Sequence, residues 1–340
     1  MDIRKRFADA LDDTVNTWKS KKEVEGLFVY GSYVRGTITN ASDLDLCVVL
    51  KEGECESQLL SEHKGVRIDM TCLTSEEIKR VFDGNVSDPI KISEVVGRLR
   101  NAQIVYDRGH DLKKWEELAR RFTWNQDHID LMKQRALNSL ERASRFTIRE
   151  DTVSAVCEIR RALSDIGRAI VMKNGRFSIL RPAEVLSEIR LLDPITYQVF
   201  LRTFKLKSFD DEEELIGVLS DVQHWLEIAE DRYREAGKAG RITENLAAAQ
   251  RQYHGAVGLT LSGDYELAVL EMRHAIYSLA VSLLLLDGSG ELEEIGIGDE
   301  LREREPDFYE QIVVEYGAFD FQSKGVERSI GEARFIAARL

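Results

Sequence analysis

The sequence predicts an α+β fold, in which a small mixed β-sheet with helices is followed by α-helical bundle domains. Four short segments with strand character and turn residues at their ends lie before residue 110, and helical hydrophobic periodicity prevails from about residue 115 onward. The chain of 340 residues is longer than one hydrophobic core usually organises. We therefore predict three domains, at residues 1–115, 116–240 and 241–340.

The predicted first domain alternates strands with helices. An amphipathic helix near residues 3–20 comes first, and the four strand segments are GLFVY (26–30), LDLCVVL (44–50), VRIDMTCL (66–73) and AQIVYD (102–107). Ser75, followed by two acids, is typical of a capped helix N-terminus, and residues 87–98 have the pattern of another helix. This mixture of elements is what an α+β domain requires.

The rest of the chain has helical periodicity. Apolar residues at three-four spacing predict one buried stripe, at Ile129, Met132, Ala136, Leu140 and Ala143. Further helices are predicted at about 151–173, 182–190, 194–205 and 211–236. The segment Gly237-Lys-Ala-Gly240 predicts a break, and Ser262-Gly-Asp264 predicts a turn between two long helices after it.

Composition and charge limit the classes of function. A formal net charge of -13 at pH 7 disfavours a nucleic-acid partner, because neutralising phosphates requires clustered Lys and Arg. The apolar run from Leu279 to Leu286 is too short to span a bilayer, so we expect no membrane partner. The four cysteines have no zinc-like spacing, and three lie in apolar stretches, which predicts reduced thiols and a cytoplasmic location: Cys47, Cys55, Cys72 and Cys157.

Three aspartates form the most informative chemical pattern. Gly31 and Ser32 end one predicted strand, and Asp43 and Asp45 open the next, where residues two apart project to the same face. Two carboxylates so close repel each other unless a cation binds them, and hard oxygen ligands suit Mg²⁺. Asp69 joins the pair if its own predicted strand lies alongside. Three such acids can hold two ions that orient an attacking oxygen and stabilise a leaving pyrophosphate.

An Asp-x-Asp pair by itself is common on exposed strand edges. The compound pattern is far more specific, because a Gly-Ser after a strand, an Asp-x-Asp pair and an acid on a later strand occur together. This pattern resembles the signature of the DNA polymerase beta superfamily of nucleotidyltransferases. The nearest likeness is to the kanamycin nucleotidyltransferases, and it extends from residue 1 to about residue 236.

The resemblance implies Mg²⁺ as cofactor, ATP or another nucleoside triphosphate as donor, a hydroxyl acceptor and a homodimer. It also implies roles for individual residues. The catalytic metal ligands that it implies are Asp43, Asp45 and Asp69. The nucleotide-binding residues that it implies at the turn before them are Gly31, Ser32 and Arg35.

The same resemblance implies a catalytic base on a later helix. Counting forward from Tyr106 and Asp107 without gaps places Glu141 at the catalytic glutamate and Arg145 at a phosphate-contacting basic residue. Glu141 and Arg145 are also i and i+4 on one helix, so a surface ion pair explains them equally well. Glu158 is the alternate candidate for the base.

After residue 240 the two long helices resemble the HEPN group of helical domains. The Arg-His motif of the ribonucleases in that group does not occur in residues 241–340, which favours a scaffold or dimerisation role. The leading expectation for the whole chain is transfer of AMP to a hydroxyl of a small molecule. Two alternatives stay open, namely the same chemistry on a protein or RNA acceptor, and a catalytically silent nucleotide-binding or assembly module.

Overall fold

The structure is a computed structural model, and it describes residues 3–53, 58–209, 211–236, 240–289 and 296–340. The chain divides into two compact units, Met1–Thr123 and Trp124–Leu340. The described strands all lie in the first unit, and the second unit is helical. The predicted α+β class is therefore confirmed.

The first unit consists of a five-stranded mixed sheet and its helices. The strands are β1 (Val24–Val29), β2 (Leu44–Leu50), β3 (Ser61–His63), β4 (Val66–Thr74) and β5 (Gln103–Asp107). The helices are α1 (Ile3–Lys19), α2 (Gly31–Arg35), α3 (Ser75–Phe82), α4 (Pro89–Leu99) and α5 (Asp111–Arg121). The strand order is β3-β4-β2-β1-β5, with β2 and β4 parallel and the other neighbours antiparallel. All four predicted strands are confirmed, and β3 is an addition that the sequence did not predict.

Local sequence explains where two of these helices begin. The Thr74 hydroxyl accepts the backbone N–H of Glu77 at 3.1 Å, and the Glu77 carboxylate accepts the backbone N–H of Thr74 at 2.7 Å. The cap of α3 is therefore Thr74, one residue before the predicted Ser75. Asp88 caps α4 by accepting the Ile90 N–H at 3.0 Å. These caps satisfy backbone donors that would otherwise have no partner.

The second unit is a bundle of helices. They are α6 (Gln126–Ile148), α7 (Thr152–Lys173), α8 (Pro182–Leu192), α9 (Pro194–Thr203), α10 (Glu212–Ala236), α11 (Gly240–Leu261), α12 (Tyr265–Leu286), α13 (Ile297–Arg304), α14 (Pro306–Phe308) with a π-helix over Tyr309–Val314, and α15 (Ser323–Ala338). The stripe predicted on α6 is confirmed, because all five of its residues are buried.

The predicted domain boundary at residue 240 falls inside this unit. Helices from both sides of it pack together, since α12 contacts α8 and α15 contacts α6 and α7. Residues 237–239 of the predicted break lie outside the described residues, and α11 begins at Gly240. The division into two helical domains stays a prediction.

Helix α12 is the most apolar helix of the unit. Among the described residues it is the one helix whose length and composition would allow it to cross a membrane, with a mean hydropathy of 1.5. In that apolar window 78% of the residues are buried inside the protein, as in the core helix of a bundle. The absence of a membrane partner stays a prediction.

The cysteines follow the sequence expectation only in part. Cys47 and Cys157 are buried free thiols, and burial raises the pKa of Cys47 to about 11 and that of Cys157 to about 12. Both thiols therefore stay protonated at neutral pH. Cys72 is disulfide-bonded, so the expectation of a reduced thiol is wrong there. Cys55 lies outside the described residues, and the cytoplasmic location stays a prediction.

Glu271 on α12 gives the second unit a pH-dependent stability. Its side chain is buried, and its Oε1 atom accepts the backbone N–H of Ala183, at the start of α8, at 2.7 Å. Burial raises the pKa of Glu271 to about 7, against the lowering effect of that hydrogen bond. Because the folded pKa lies above the unfolded value, the resulting stabilisation is complete below about pH 4.5 and is lost as the pH rises through about 7.

We expect Glu271→Gln to be more stable than the wild type at about pH 8, because the amide keeps the acceptor and removes the buried charge. The difference in the free energy of unfolding should approach about 3 kcal/mol and shrink as the pH falls towards about 4.5. Urea unfolding at several pH values measures it, with the exposed Glu303→Gln as control. A difference that does not change with pH would contradict the role of Glu271.

Candidate active site

The candidate active site lies on the face of the sheet opposite α1. Leu44 and Leu46 of β2 pack with Phe7 of α1, so Asp45 between them projects to the other face. The parallel pairing of β2 with β4 places Asp45 in register with Asp69. Neighbouring strands are about 4.8 Å apart and register partners point to the same side, so the two carboxyl groups lie next to each other. They are only 4% and 2% exposed.

Asp43 precedes β2 and projects to the same face, where it pairs with a residue that the sequence interpretation missed. Its Oδ1 atom is 2.6 Å from Nε of Arg67, whose Nη2 atom also donates to the carbonyl of Ala41 at 2.5 Å. Arg67 lies two residues before Asp69 on β4, so it shares the face of the aspartates. The segment Val-Arg-Ile-Asp places an arginine two residues before Asp69, but the pairing of Arg67 with Asp43 depends on the register of β2 and β4.

Gly31 is required next to Asp45. Its φ is +70°, a region that other residues rarely adopt, and a Cβ atom on residue 31 would overlap Oδ2 of Asp45. The backbone N–H of Tyr30 donates to the carbonyl of Asp45 at 3.1 Å, which fixes this approach. Gly31 therefore lets the chain turn directly against the carboxylate.

The turn at Gly31 is a short helix, α2, rather than the end of the preceding strand. Strand β1 already ends at Val29, and α2 runs from Gly31 to Arg35. Ser32 is partly buried in α2, and Arg35 is exposed at its last position. The nucleotide-binding roles of these three residues stay predictions.

Tyr30 and Arg98 add a second polar group beside the two buried aspartates. The Tyr30 hydroxyl lies 3.3 Å from Oγ1 of Thr71 on β4, and the guanidinium of Arg98 on α4 lies 5.8 Å from the centre of the Tyr30 ring. Burial raises the pKa of Tyr30 above its usual value; Arg98 opposes this shift, while Asp69 and Asp45 add to it. Burial lowers the pKa of Arg98, but Tyr30 and other neighbours outweigh it and raise the value overall. Arg98 therefore places a fixed positive charge near the aspartates.

The three aspartates offer the hard oxygen ligands that Mg²⁺ prefers. Within the part of the chain that the structure describes, no group of three His, Cys, Asp or Glu side chains is arranged to hold a metal ion. The Asp43 carboxylate is held by Arg67 in this conformation. The three carboxylates are chemically suitable ligands for Mg²⁺. Asp43 has to release Arg67 before it can bind an ion together with Asp45 and Asp69.

The residues predicted as the catalytic base and as a later phosphate contact lie in the second unit. Glu141 and Arg145 are both exposed on α6, and no ion pair joins them among the described residues. Glu158 on α7 is buried, and its carboxylate is held by Arg142 at 3.0 Å and by Arg161 at 3.4 Å. Both carboxylate oxygen atoms of Glu158 are engaged by guanidinium groups, whereas Glu141 is exposed, and the choice of Glu141 as the base stays a prediction.

Residues 11–119 match the family model of the nucleotidyltransferase domain. The chain carries a nucleotidyltransferase domain. It is accordingly an enzyme that transfers nucleotidyl groups, a transferase of phosphorus-containing groups. The matched residues of this nucleotidyltransferase domain include Asp43, Asp45 and Asp69.

Other comparisons add little to this assignment. No curated protein matches the chain. Among solved structures, the chain is similar to a nucleotidyltransferase-like protein from Exiguobacterium sibiricum 255-15, at 14% identity over 90% of this chain and 91% of that chain, with a TM-score of 0.37. A TM-score this low does not establish a common fold, so the assignment of the nucleotidyltransferase domain rests on the family match.

Proposed function

We propose that the chain transfers a nucleoside monophosphate, AMP from ATP, to a hydroxyl of a small-molecule acceptor and releases pyrophosphate. The observation that carries this proposal is the pair of buried acids, Asp45 and Asp69, in register on adjacent parallel strands of the nucleotidyltransferase domain. Like charges at this separation favour a bound cation, and a cation there suits a substrate rich in phosphate.

Asp45 and Asp69 would hold Mg²⁺, with Asp43 as the third ligand. Bound there, Mg²⁺ supplies charge stabilisation for the reacting phosphates and the leaving pyrophosphate. Gly31 brings the backbone close to Asp45, and the adjacent Ser32 hydroxyl is available to donate a hydrogen bond to a phosphate oxygen. These residues bind and orient the triphosphate in the proposed reaction.

The class of acceptor follows from charge and from the resemblance to the kanamycin enzymes. A net charge of -13 repels RNA, which favours a small molecule over RNA. A protein acceptor remains the second candidate, since nothing in the charge opposes it. The nucleotidyltransferase domain supports an enzyme, and this disfavours the alternative of a catalytically silent nucleotide-binding or assembly module.

Radiolabelled ATP tests the proposed reaction directly. With Mg²⁺ present, label from the α-phosphate should appear on an acceptor, and label from the γ-phosphate should appear in pyrophosphate. The acceptor panel should contain hydroxyl compounds including aminoglycosides, the protein itself and RNA. Transfer of the γ-label to an acceptor would instead indicate a kinase and overturn the proposal.

Arg67 should compete with the metal ion for Asp43. We expect Arg67→Gln to lower the Mg²⁺ concentration for half-maximal activity by about threefold to tenfold, because it removes a charge-assisted hydrogen bond that metal binding has to break. Binding of Mn²⁺ measured by electron paramagnetic resonance should tighten by a similar factor, which separates metal affinity from catalysis. The exposed Arg80→Gln is the matched control. Unchanged Mn²⁺ affinity, or loss of activity even at saturating Mg²⁺, would show that Arg67 has another role.

We further propose Glu141 as the general base, Arg145 as a contact to phosphate, and a homodimer in which Glu141 of one protomer serves the aspartates of its partner. The base must lie within hydrogen-bond reach of the acceptor hydroxyl. Glu141 and the aspartates belong to different compact units of the chain, and Glu141 is exposed. A two-fold dimer is one way to bring them together, as the resemblance to the kanamycin enzymes implies.

Mixing inactive variants tests this composite site. Equal amounts of Asp45→Asn and Glu141→Gln chains that exchange freely should recover about a quarter of wild-type activity, since half of the dimers carry one intact site of two. Activity of the mixture and subunit exchange, followed by fluorescence energy transfer, are the two measurements. If exchange occurs and no activity returns, the metal ligands and the base belong to one chain or Glu141 is not the base.

A further inference from the structure

The second unit contains a cavity of about 230 Å³, and the proposed nucleotidyl transfer assigns no role to the residues that line it. Its walls combine apolar side chains, among them Phe204 and Ile276, with four arginine side chains. The arginines that line it are Arg160, Arg161, Arg168 and Arg273. Two of these, Arg161 and Arg168, have carboxylate partners in Glu158 and Asp165. No carboxylate among the described residues forms a salt bridge with the other two.

Arg273 of α12 is 5% exposed, yet most of its donors are unused. Its Nε and Nη1 atoms are buried and have no hydrogen-bond partner. The Nη2 atom donates to the hydroxyl of Ser208 at 3.1 Å. Throughout the described ranges no carboxylate forms a salt bridge with Arg273. Arg273 lines the cavity, so its charge and its two unpartnered nitrogen atoms lie in the cavity wall.

Arg160 of α7 is 7% exposed, its hydrogen bonds all go to carbonyl groups, and its guanidinium lies 4.7 Å from the centre of the Phe319 ring and 5.4 Å from that of Phe204. It donates to the carbonyls of Thr203, Gly317 and Ala318 at 3.2, 2.8 and 2.9 Å. Carbonyl oxygens orient the guanidinium without cancelling its charge, and no described carboxylate pairs with it. A third polar group of the cavity, His274, has a buried Nε2 atom without a partner.

Two buried guanidinium groups that form no salt bridge with a described carboxylate are costly to the fold. Asp320, which forms its salt bridge with Lys205, attracts both groups but does not outweigh the effect of burial on their pKa values. Arginine keeps its proton under ordinary conditions, and the pKa of Arg160, which burial lowers to about 10, still leaves it charged at neutral pH. Burial also lowers the pKa of Arg273. Burial, and to a smaller extent the charges of Arg168 and Arg160, lowers the pKa of His274 to about 3, so the histidine is neutral at neutral pH. An anion in the cavity would compensate these charges.

We propose that this cavity binds a small ligand whose anionic group, a phosphate or a carboxylate, contacts Arg273 and Arg160 while its apolar body lies against Phe204 and Ile276. Guanidinium groups bind both oxyanions through charge-assisted hydrogen bonds. The apolar walls favour a ligand with a hydrophobic part over a free inorganic ion. The site consists entirely of residues of the second unit, and the proposed nucleotidyl transfer assigns a role to none of them.

Three probes of similar shape test the proposal on the full-length protein. Phenyl phosphate carries a phosphate on a phenyl ring, and benzoate carries a carboxylate on the same kind of ring. Benzamide is the neutral counterpart of benzoate. Isothermal titration calorimetry should show millimolar or tighter binding of at least one anion, with a raised Tm, and little binding of benzamide. The stronger of the two anions identifies the ligand class. Equal binding of benzamide, or no binding of either anion, would overturn the proposal.

Substitutions of the cavity arginines test whether the anion binds in the cavity. Arg273→Met should raise the Tm of the ligand-free protein, because it removes an unpaired buried charge, and should weaken anion binding at least about tenfold. Arg328→Met, which removes an arginine that is 73% exposed, is the control and should leave binding unchanged. If Arg273→Met does not fold, Arg161→Met, whose side chain is 39% exposed, should fold and weaken binding severalfold. Wild-type affinity in the folded cavity variant would place the anion elsewhere and overturn the proposal.

Discussion

Asp45→Asn should lower nucleotidyl transfer by at least about a thousandfold while the first unit stays folded. The substitution keeps the size of a side chain that is 4% exposed. It removes one of the two carboxylate charges that lie in register, those of Asp45 and Asp69. In the absence of metal it relieves repulsion between two carboxylates, so the Tm without Mg²⁺ should be unchanged or higher. Transfer at saturating Mg²⁺ and thermal unfolding with and without Mg²⁺ are the measurements.

Asp12→Asn is the control for this substitution, because it removes an exposed carboxylate from α1 of the same unit. It should leave both transfer and the Mg²⁺ dependence of Tm unchanged. Substantial turnover by Asp45→Asn at saturating Mg²⁺ would show that Asp45 is not a metal ligand. Loss of the fold in Asp45→Asn would show that the buried acid serves stability instead.

Gly31→Ala should also lower transfer, by about a hundredfold or more, without any change of charge. The added Cβ atom would overlap Oδ2 of Asp45, so either the carboxylate or the chain at residue 31 has to move. The φ of +70° adds backbone strain of roughly 1 kcal/mol. Because the displaced group is a proposed metal ligand, the affinity for Mn²⁺ should fall together with the rate.

The chain provides a matched control at the other end of α2. Gly36 has a φ of +72°, and no atom lies within 4 Å of the position that a Cβ atom would take there, so Gly36→Ala carries the same backbone strain without the overlap. We expect Gly36→Ala to lose stability but to keep metal affinity and most of its activity. If Gly36→Ala and Gly31→Ala are equally impaired, backbone strain in α2 explains the loss, and the contact with Asp45 does not.

Much of the first unit could be predicted because its information is local. The β-rich segments, the turn residues around them and the alternation that puts Asp43 and Asp45 on one face are all readable from neighbouring residues. The approach of Asp69 was conditional on strand pairing, and the parallel register of β2 with β4 meets that condition. Strand β3 was missed because its three residues are polar, two of them exposed and one partly buried, and show no apolar alternation.

The features that could not be predicted depend on long-range register and packing. The ion pair of Arg67 with Asp43 follows from the β2 and β4 alignment, and the place of Arg98 beside Tyr30 follows from how α4 packs. Arginines on α7 and α12 look like ordinary helix residues in sequence, and only the folded bundle brings Arg160 and Arg273 to one cavity.

The most direct test of the central claim is metal-dependent nucleotide binding, because it needs no knowledge of the acceptor. The α,β-methylene analogues of the four common nucleoside triphosphates, which cannot transfer a nucleotidyl group, should be titrated into wild-type protein and Asp45→Asn by calorimetry, with and without Mg²⁺. The account predicts that at least one analogue binds the wild type only when Mg²⁺ is present and that Asp45→Asn loses this binding. Three results would contradict a metal site at Asp45: binding that does not depend on Mg²⁺, binding that Asp45→Asn retains, or failure of all four analogues to bind.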